Sequence, residues 1–121
     1  MPLILLVDDD LPIIHFLLDL LEEEGYRVQT AYHGAEALSR IAAEPPDLII
    51  SDLMMPVMDG SQLCARIRSD PQLASIPIIM ISAAGERAAS AAGANASFTK
   101  PFDVVNLLDC VTQLLTENSV R

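Results

Sequence analysis

The chain has 121 residues, 51% of them apolar, with 17 Asp plus Glu against seven Lys plus Arg and a formal charge of −10. That length is one domain's worth, no apolar run reaches the roughly 18 residues of a membrane span, and no basic signal-like stretch opens the chain, so a soluble, cytoplasmic protein is expected. The acidity argues against direct binding to nucleic acid, and Cys64 and Cys110 lack CxxC or His-rich spacing, so both read as small buried hydrophobes outside any zinc site or disulfide framework.

Leu3 to Val7 is a continuous apolar run that predicts a strand, and Leu11 to Glu24 carries Ile14, Leu17, Leu18 and Leu21 at helical spacing until Gly25 stops it. Arg27 to Ala31 alternates as a short strand. Gly34 to Ala43 places Ala37, Leu38 and Ile41 on one stripe, ended by Pro45 and Pro46. Leu48 to Ser51 is the third strand, followed by a loop with Pro56, the Asp59-Gly60 turn signal and a helix from Ser61 to Arg68. Ile78 to Ser82 is the fourth strand. An alanine-rich stretch runs to Gly93, a short strand covers Ser97 to Thr99, and a last helix from Val104 to Leu115 is expected to turn Val105, Leu108, Val111 and Leu115 inward.

Five βα units without a linker or repeat predict a single α/β domain. The first, third and fourth strands are near-continuous Leu, Ile and Val, as central parallel strands covered by helices on both faces should be. The second and fifth are short and mixed and belong at the edges. A five-stranded parallel sheet of order 2-1-3-4-5 follows, with right-handed crossovers and a switch point between strands one and three.

That order brings chemistry to one edge. The first strand ends at Asp8, Asp9 and Asp10 and the third at Asp52, so several carboxylates meet where open α/β sheets bind ligands. Like charges a few ångströms apart repel by on the order of 4 kcal/mol per pair at an effective dielectric of about 20. Such a crevice should hold a cation, a proton or a basic side chain, and a hard cation with oxygen ligands fits best. Ser82 closes the fourth strand and Lys100 the fifth, on the same edge. A carboxylate nucleophile, a hydroxyl and an ammonium beside a divalent cation suit phosphoryl transfer through an acyl phosphate.

The segments LLVDDD, SDLMMPVMDG, IPIIMISA and SFTKPF resemble, in order and spacing, the signatures of the response-regulator receiver domains of two-component signalling (CheY-like), across nearly the whole chain. The resemblance implies a flavodoxin-like fold, with Asp52 as phosphoacceptor, Asp9 as a direct Mg²⁺ ligand, Asp8 as the acid holding the metal's water, and the backbone carbonyl of Met54 as a further ligand. It implies Ser82 as the switch hydroxyl, Lys100 as the active-site lysine and a cis Lys100-Pro101 bond. The phosphodonor would be a histidine kinase or histidine phosphotransfer protein, and residues 1–121 would form one receiver domain with no output domain among them. Such a domain catalyses its own phosphorylation and is not a turnover enzyme.

Taken singly, each residue has a plainer reading. Asp10 is expected to cap the first helix. Asp52, Ser82 and Lys100 alone would be a turn acid, a strand-end hydroxyl and a solvated cation; their joint placement favours the site. Met54, Met55 and Met58 read as loop and packing residues, His15 and His33 as imidazoles without a catalytic role, and Glu22, Glu23 and Glu24 as the solvated end of a helix.

Two departures from the receiver pattern bear on output. Ser97 stands where receivers carry an aromatic residue, followed by Phe98, and the interval from Ser82 to Lys100 is about four residues short, roughly one helical turn. The fourth helix, on AAGERAASAAG, is therefore expected to be short or irregular, and signalling to shift the loops after strands three and four and to order Ala84 to Ala92. The alternative is a receiver-shaped interaction module that is never phosphorylated. A haloacid-dehalogenase-like phosphatase would need an acid at Met54, and a flavodoxin would need a Ser/Thr/Gly phosphate cradle in place of the acidic loop.

Overall fold

All five side chains of Leu3–Val7 are buried, and this segment, β1, lies inside the sheet as a strand covered on both faces must. In the computed structural model, which describes residues 1–83 and 93–119, β1 lies between β2 (Arg27–Ala31) and β3 (Leu48–Asp52). With β4 (Ile78–Ser82) and β5 (Ala96–Thr99) they form a parallel sheet of order β2-β1-β3-β4-β5. The described helices are α1 (Leu11–Glu23), α2 (Gly34–Ala43), α3 (Gly60–Ser69) and α4 (Val104–Ser119). The flavodoxin-like order matches the expectation from apolar runs. The fourth helix expected on the alanine-rich stretch, and the Ala84 to Ala92 segment with it, lie outside the described residues.

Alternation along the strands divides the core in two. Leu5, Val7, Ile49 and Met80 pack with Ala37 and Ile41 of α2 and with Leu63, Cys64 and Ile67 of α3. On the other face Ile4, Leu6, Ile50 and Ile79 pack with Ile14, Leu17 and Leu21 of α1 and with Leu107 and Val111 of α4. Of the residues expected to face inward from α4, Val111 is buried and Leu108 and Leu115 are partly so, but Val105 is 65% exposed, whereas Leu107 is fully buried. Two residues apart on a helix is about 200°, so the two cannot share a face. The α4 stripe runs Leu107, Val111, flanked by partly buried Leu108, Leu114 and Leu115.

Helix starts follow local hydrogen bonding. Asp10 caps α1 by accepting from the Ile13 N–H at 3.5 Å, and Asp103 accepts from the Asn106 N–H at the start of α4 at 3.0 Å. Exposed His33 caps α2, its Nδ1 accepting from the Glu36 N–H at 3.1 Å. Asp59 and Gln62 form a reciprocal capping box on α3. Gly60 is demanded by space, because a Cβ there would lie 2.5 Å from the Asp52 carbonyl oxygen. Its N–H donates to the Leu53 carbonyl at 2.8 Å, closing the β3–α3 loop over the end of β3.

Within that loop Val57 has φ +68 and is fully exposed, and the Met58 N–H donates to the Pro56 carbonyl at 2.8 Å. A γ-turn with positive φ at its centre is rare and strained, and most of all for a β-branched residue. Left-handed backbone costs an L-residue roughly 1–2 kcal/mol, from which the extra unfolded-state freedom of glycine subtracts about 0.5–1 kcal/mol. Val57→Gly is therefore expected to raise the unfolding free energy by about 0.5–1 kcal/mol. Urea denaturation measures it; a lower midpoint at constant slope would mean that the turn is not strained.

Candidate functional site: an acidic crevice at the carboxyl edge

The register Val7↔Ser51 sets the ends of β1 and β3 side by side, so Asp8 and Asp52 leave the sheet as neighbours. Both are almost fully buried, while Asp9 is exposed. One carboxylate oxygen from each of Asp8, Asp9 and Asp52 can be chosen so that all lie within 4.8 Å of one another. Lys100 follows β5, its N–H donating to the Ser82 carbonyl at 3.0 Å and its bond to Pro101 cis. Its ammonium lies between the two buried acids, 3.6 Å from Asp8 Oδ2 and 3.5 Å from Asp52 Oδ2.

Main-chain donors fix the remaining oxygens. Asp8 Oδ1 accepts from the Asp10 N–H at 2.9 Å, and Asp52 Oδ1 from the Met54 N–H at 3.3 Å. Ser51 Oγ donates to the Asp52 carbonyl at 2.9 Å, which satisfies a buried hydroxyl without loading the carboxylate. Burial pushes the Asp8 carboxyl up to about 6, with the charges of Asp52 and Asp9 adding to the rise, and the Asp10 N–H and Lys100 opposing it. One ammonium thus leaves negative charge uncompensated. Three carboxylates converging without a soft ligand suit a hard divalent cation of the Mg²⁺ kind.

The structure brings Asp8, Asp9, Asp52 and Lys100 together and puts Ser82, buried, at the end of the adjacent strand β4. Met54 borders the site through its main chain, while its side chain is 64% exposed and is not a packing residue; Met55 is buried and Met58 partly so. His15 is exposed on α1, and Glu22, Glu23 and Glu24 are all exposed. Cys64 is buried, Cys110 only half-buried, and both are free thiols that burial holds above their ordinary pKa. Beside Lys100 opens a cleft of about 680 Å³ lined by Pro12, Ile13, Phe16, Pro101 and Phe102, with Phe16 half exposed.

Arg68 was not singled out by the sequence. Its guanidinium donates to the carbonyls of Ala74, Ile76 and Gly93 and to Asn95 Oδ1, and Asn95 Oδ1 also accepts from the Ile78 N–H. The arginine thereby ties the starts of β4 and β5 to α3. Main-chain acceptors carry no sequence signal, although a lone Asn at the entry to an edge strand was one available hint.

Because the folded Asp8 carboxyl titrates near 6 and its ordinary value is 3.8, the native state holds this proton more tightly than the unfolded chain between those values. Stability contributed by Asp8 is full below the lower value and lost as pH rises through the upper one. Without divalent cations, lowering pH from about 7.5 to about 5 should therefore stabilise wild type relative to Asp8→Asn. At neutral pH Asp8→Asn should itself be more stable by about 1–2 kcal/mol. Parallel melts of the two proteins measure both; equal pH slopes would remove Asp8 as their source.

A family described as "Response regulator receiver domain" matches residues 4–112. The DNA-binding dual master transcriptional regulator RpaA of Synechocystis is 42% identical over 120 residues, which are 95% of this chain and 49% of that protein. The chain spans about half the length of the curated relatives it matches. Among solved structures, the signal receiver domain of a signal transduction histidine kinase from Syntrophus aciditrophicus is 34% identical with a TM-score of 0.89, covering 97% of this chain and 92% of that one. Chemotaxis response regulator CheY4 of Vibrio cholerae is 33% identical with a TM-score of 0.86, over 94% of this chain and 98% of that one. Sheet order, acidic crevice and sequence likeness over nearly the whole length agree, and the chain belongs to the response regulator receiver domain family of two-component signalling.

Proposed function

We propose that this chain is a phosphorelay receiver in which Asp52 takes a phosphoryl group from a phosphohistidine on a histidine kinase or histidine phosphotransfer protein. The observation that carries the reading is the convergence of Asp8, Asp9 and Asp52, with Lys100 bridging the two buried acids. Asp8, Asp9, Asp52 and the Met54 carbonyl would hold Mg²⁺, which when bound offsets the negative charge of carboxylates and phosphoryl oxygens. An Asp52 oxygen attacks phosphorus as the phosphorus–nitrogen bond to the donor imidazole breaks, leaving an acyl phosphate. Lys100, already 3.5 Å from Asp52, can follow the new negative charge, and the Ser82 hydroxyl can donate to a phosphoryl oxygen. Asp8 is kept in place by the Asp10 N–H.

Receivers are generally not turnover enzymes. Here the nucleophile is consumed at each transfer, so the chain would catalyse its own phosphorylation and hydrolysis only. The apolar cleft at Phe16 and Phe102 lies against Lys100 and suits the surface of a donor that must bring its imidazole to the crevice. Residues 1–121 act in this reading as the phosphoacceptor unit, without an output domain among them, in the cytoplasm. Output runs through changed protein contacts, because a charge of −10 disfavours nucleic acid. Among the described helices none is long and apolar enough to cross a membrane.

A module that is never phosphorylated is the second reading, favoured by Ser97 in place of an aromatic side chain in β5. Labelling with a small-molecule phosphodonor separates the two. Mg²⁺-dependent labelling mapped to Asp52, lost in Asp52→Asn and on chelation, is the expected result; labelling that persists in Asp52→Asn would overturn the nucleophile assignment, and no labelling at all would favour the module.

Metal binding has its own readout. Native-state binding at roughly 100 times Kd adds about 2.7 kcal/mol of stability. Mg²⁺ should accordingly raise the melting temperature of wild type and have little effect on Asp9→Ala, whose exposed side chain leaves the fold intact. Equal shifts in both proteins would exclude Asp9 as a ligand.

A further inference from the structure

Val57 spends conformational energy on a position where the fold gives it no packing, being fully exposed at φ +68. The chain beyond it is held in place. On its carboxyl side Met58 is seated so closely on α2 that a Cβ at Gly34 would lie 2.6 Å from the Met58 sulfur, and the Asp59–Gln62 capping box holds the chain beyond. Strain that the surroundings impose on an exposed apolar residue points toward a contact outside the chain.

Val57 and Met58 form a ridge between two clefts. One of about 350 Å³ lies against the start of α2, and the other, of about 550 Å³, runs along the outer face of α3 past Gln62, Ala65, Arg66 and Ser69. Those α3 positions are spaced three and four apart and make one stripe. Arg66 on that stripe is exposed and, among the described residues, is the one Lys or Arg side chain with neither an ion pair nor a hydrogen bond. Arg27 pairs with Glu44, Arg40 with Glu36, Lys100 with Asp8 and Asp52, and Arg68 donates to carbonyls. On a chain of charge −10, an unengaged guanidinium beside an apolar ridge is a local reversal of the surface.

We propose that the Val57–Met58 ridge and the outer face of α3 dock a helical segment of a partner protein that presents an aliphatic stripe with a carboxylate about one turn away. Arg66 pairs with the carboxylate, and the aliphatic side chains straddle Val57. A polyanion or anionic lipid surface fits poorly, because a single cation stands against the overall negative charge. The surface is separate from the acidic crevice, and its lining includes none of Asp8, Asp9, Asp52 and Lys100.

The test is an amide-shift titration of the isotope-labelled chain with a synthetic helical peptide of about 14 residues bearing Leu and Glu on one face, and with the same peptide carrying Lys for Glu. Saturable shifts are expected at Val57, Met58, Gln62, Ala65, Arg66 and Ser69 with the Glu peptide only. Arg66→Glu and Val57→Gly should each weaken binding about tenfold or more. Both side chains are exposed, so the variants fold, and Val57→Gly should bind less while being no less stable, which separates lost contact from lost structure. Absent or non-saturating shifts, shifts centred on Phe16 and Phe102, equal binding of the Lys peptide, or insensitivity to Arg66→Glu would each overturn the proposal. So would concentration-dependent self-association perturbing the same amides, since the occupant would then be a second copy.

Discussion

Two carboxylates that repel each other, Asp8 and Asp52, are held side by side, both almost fully buried, at the carboxyl ends of β1 and β3. At an effective dielectric of about 20, two such charges about 4 Å apart cost on the order of 4 kcal/mol. The local chain would separate them if it could. It cannot, because β1 and β3 are paired residue by residue and packed on both faces by aliphatic side chains. The apolar sheet thus acts as the clamp, and the site's demand for positive charge is a direct result. Lys100 answers it in part, reaching both acids from the end of β5. Burial, with the charges of Asp52 and Asp9 adding to it, still holds the Asp8 carboxyl above its ordinary value, and the third acid, Asp9, is exposed beside the pair.

The opposite edge of the sheet is organised by the reverse principle. There Arg68, a single cation, meets neutral carbonyls and the Asn95 amide, and joins α3 to the starts of β4 and β5. Hydrogen bonds from a charged donor to main-chain acceptors are stronger than neutral ones and need no counterion in place. The amino edge is therefore tied down without reference to any ligand, while the carboxyl edge keeps a charge imbalance that ligands can relieve.

Most of this was legible in the sequence, for identifiable reasons. β1, β2, β4 and α2 have the bounds read from apolar runs and from the stops at Gly25, Pro45 and Pro46. The acids and Lys100 could be placed because strand order follows from which strands are apolar on both faces. α3 begins at Gly60, one residue before the expected Ser61, because Asp59 is its N-cap; the glycine that looks like a turn signal answers a tertiary demand, since no Cβ fits under the Asp52 carbonyl. On α4 the expected inward residues Leu108, Val111 and Leu115 do pack on the core, but Val105 does not and Leu107 does, because Val105 shares helical spacing with Leu108 and only packing shows that the buried stripe starts at Leu107. Nothing in a valine announces positive φ at Val57, and the acceptors of Arg68 are main-chain atoms that every residue has.

The routes by which a change in the crevice can leave it follow from the same bonds. Ser97 pairs with Met80 across the β4–β5 register, so it brings a small hydroxyl to a position where no ring is available to move. Phe98, its neighbour, is partly buried and packs against the core on the α1 and α4 face. Three main-chain donors connect the site to its surroundings: the Met54 N–H on Asp52, the Asp10 N–H on Asp8 and the Lys100 N–H on the Ser82 carbonyl. A change of charge at Asp52 alters the first of these at once, and Met54 opens the loop that carries the strained Val57 turn. That loop is pinned at Met55 by the core, at Met58 by Gly34 and at Gly60 by the end of β3, while Met54 and Val57 are exposed between these points. With Ser97 in place of an aromatic residue, the Met54 N–H on Asp52 ties this loop directly to the candidate phosphoacceptor.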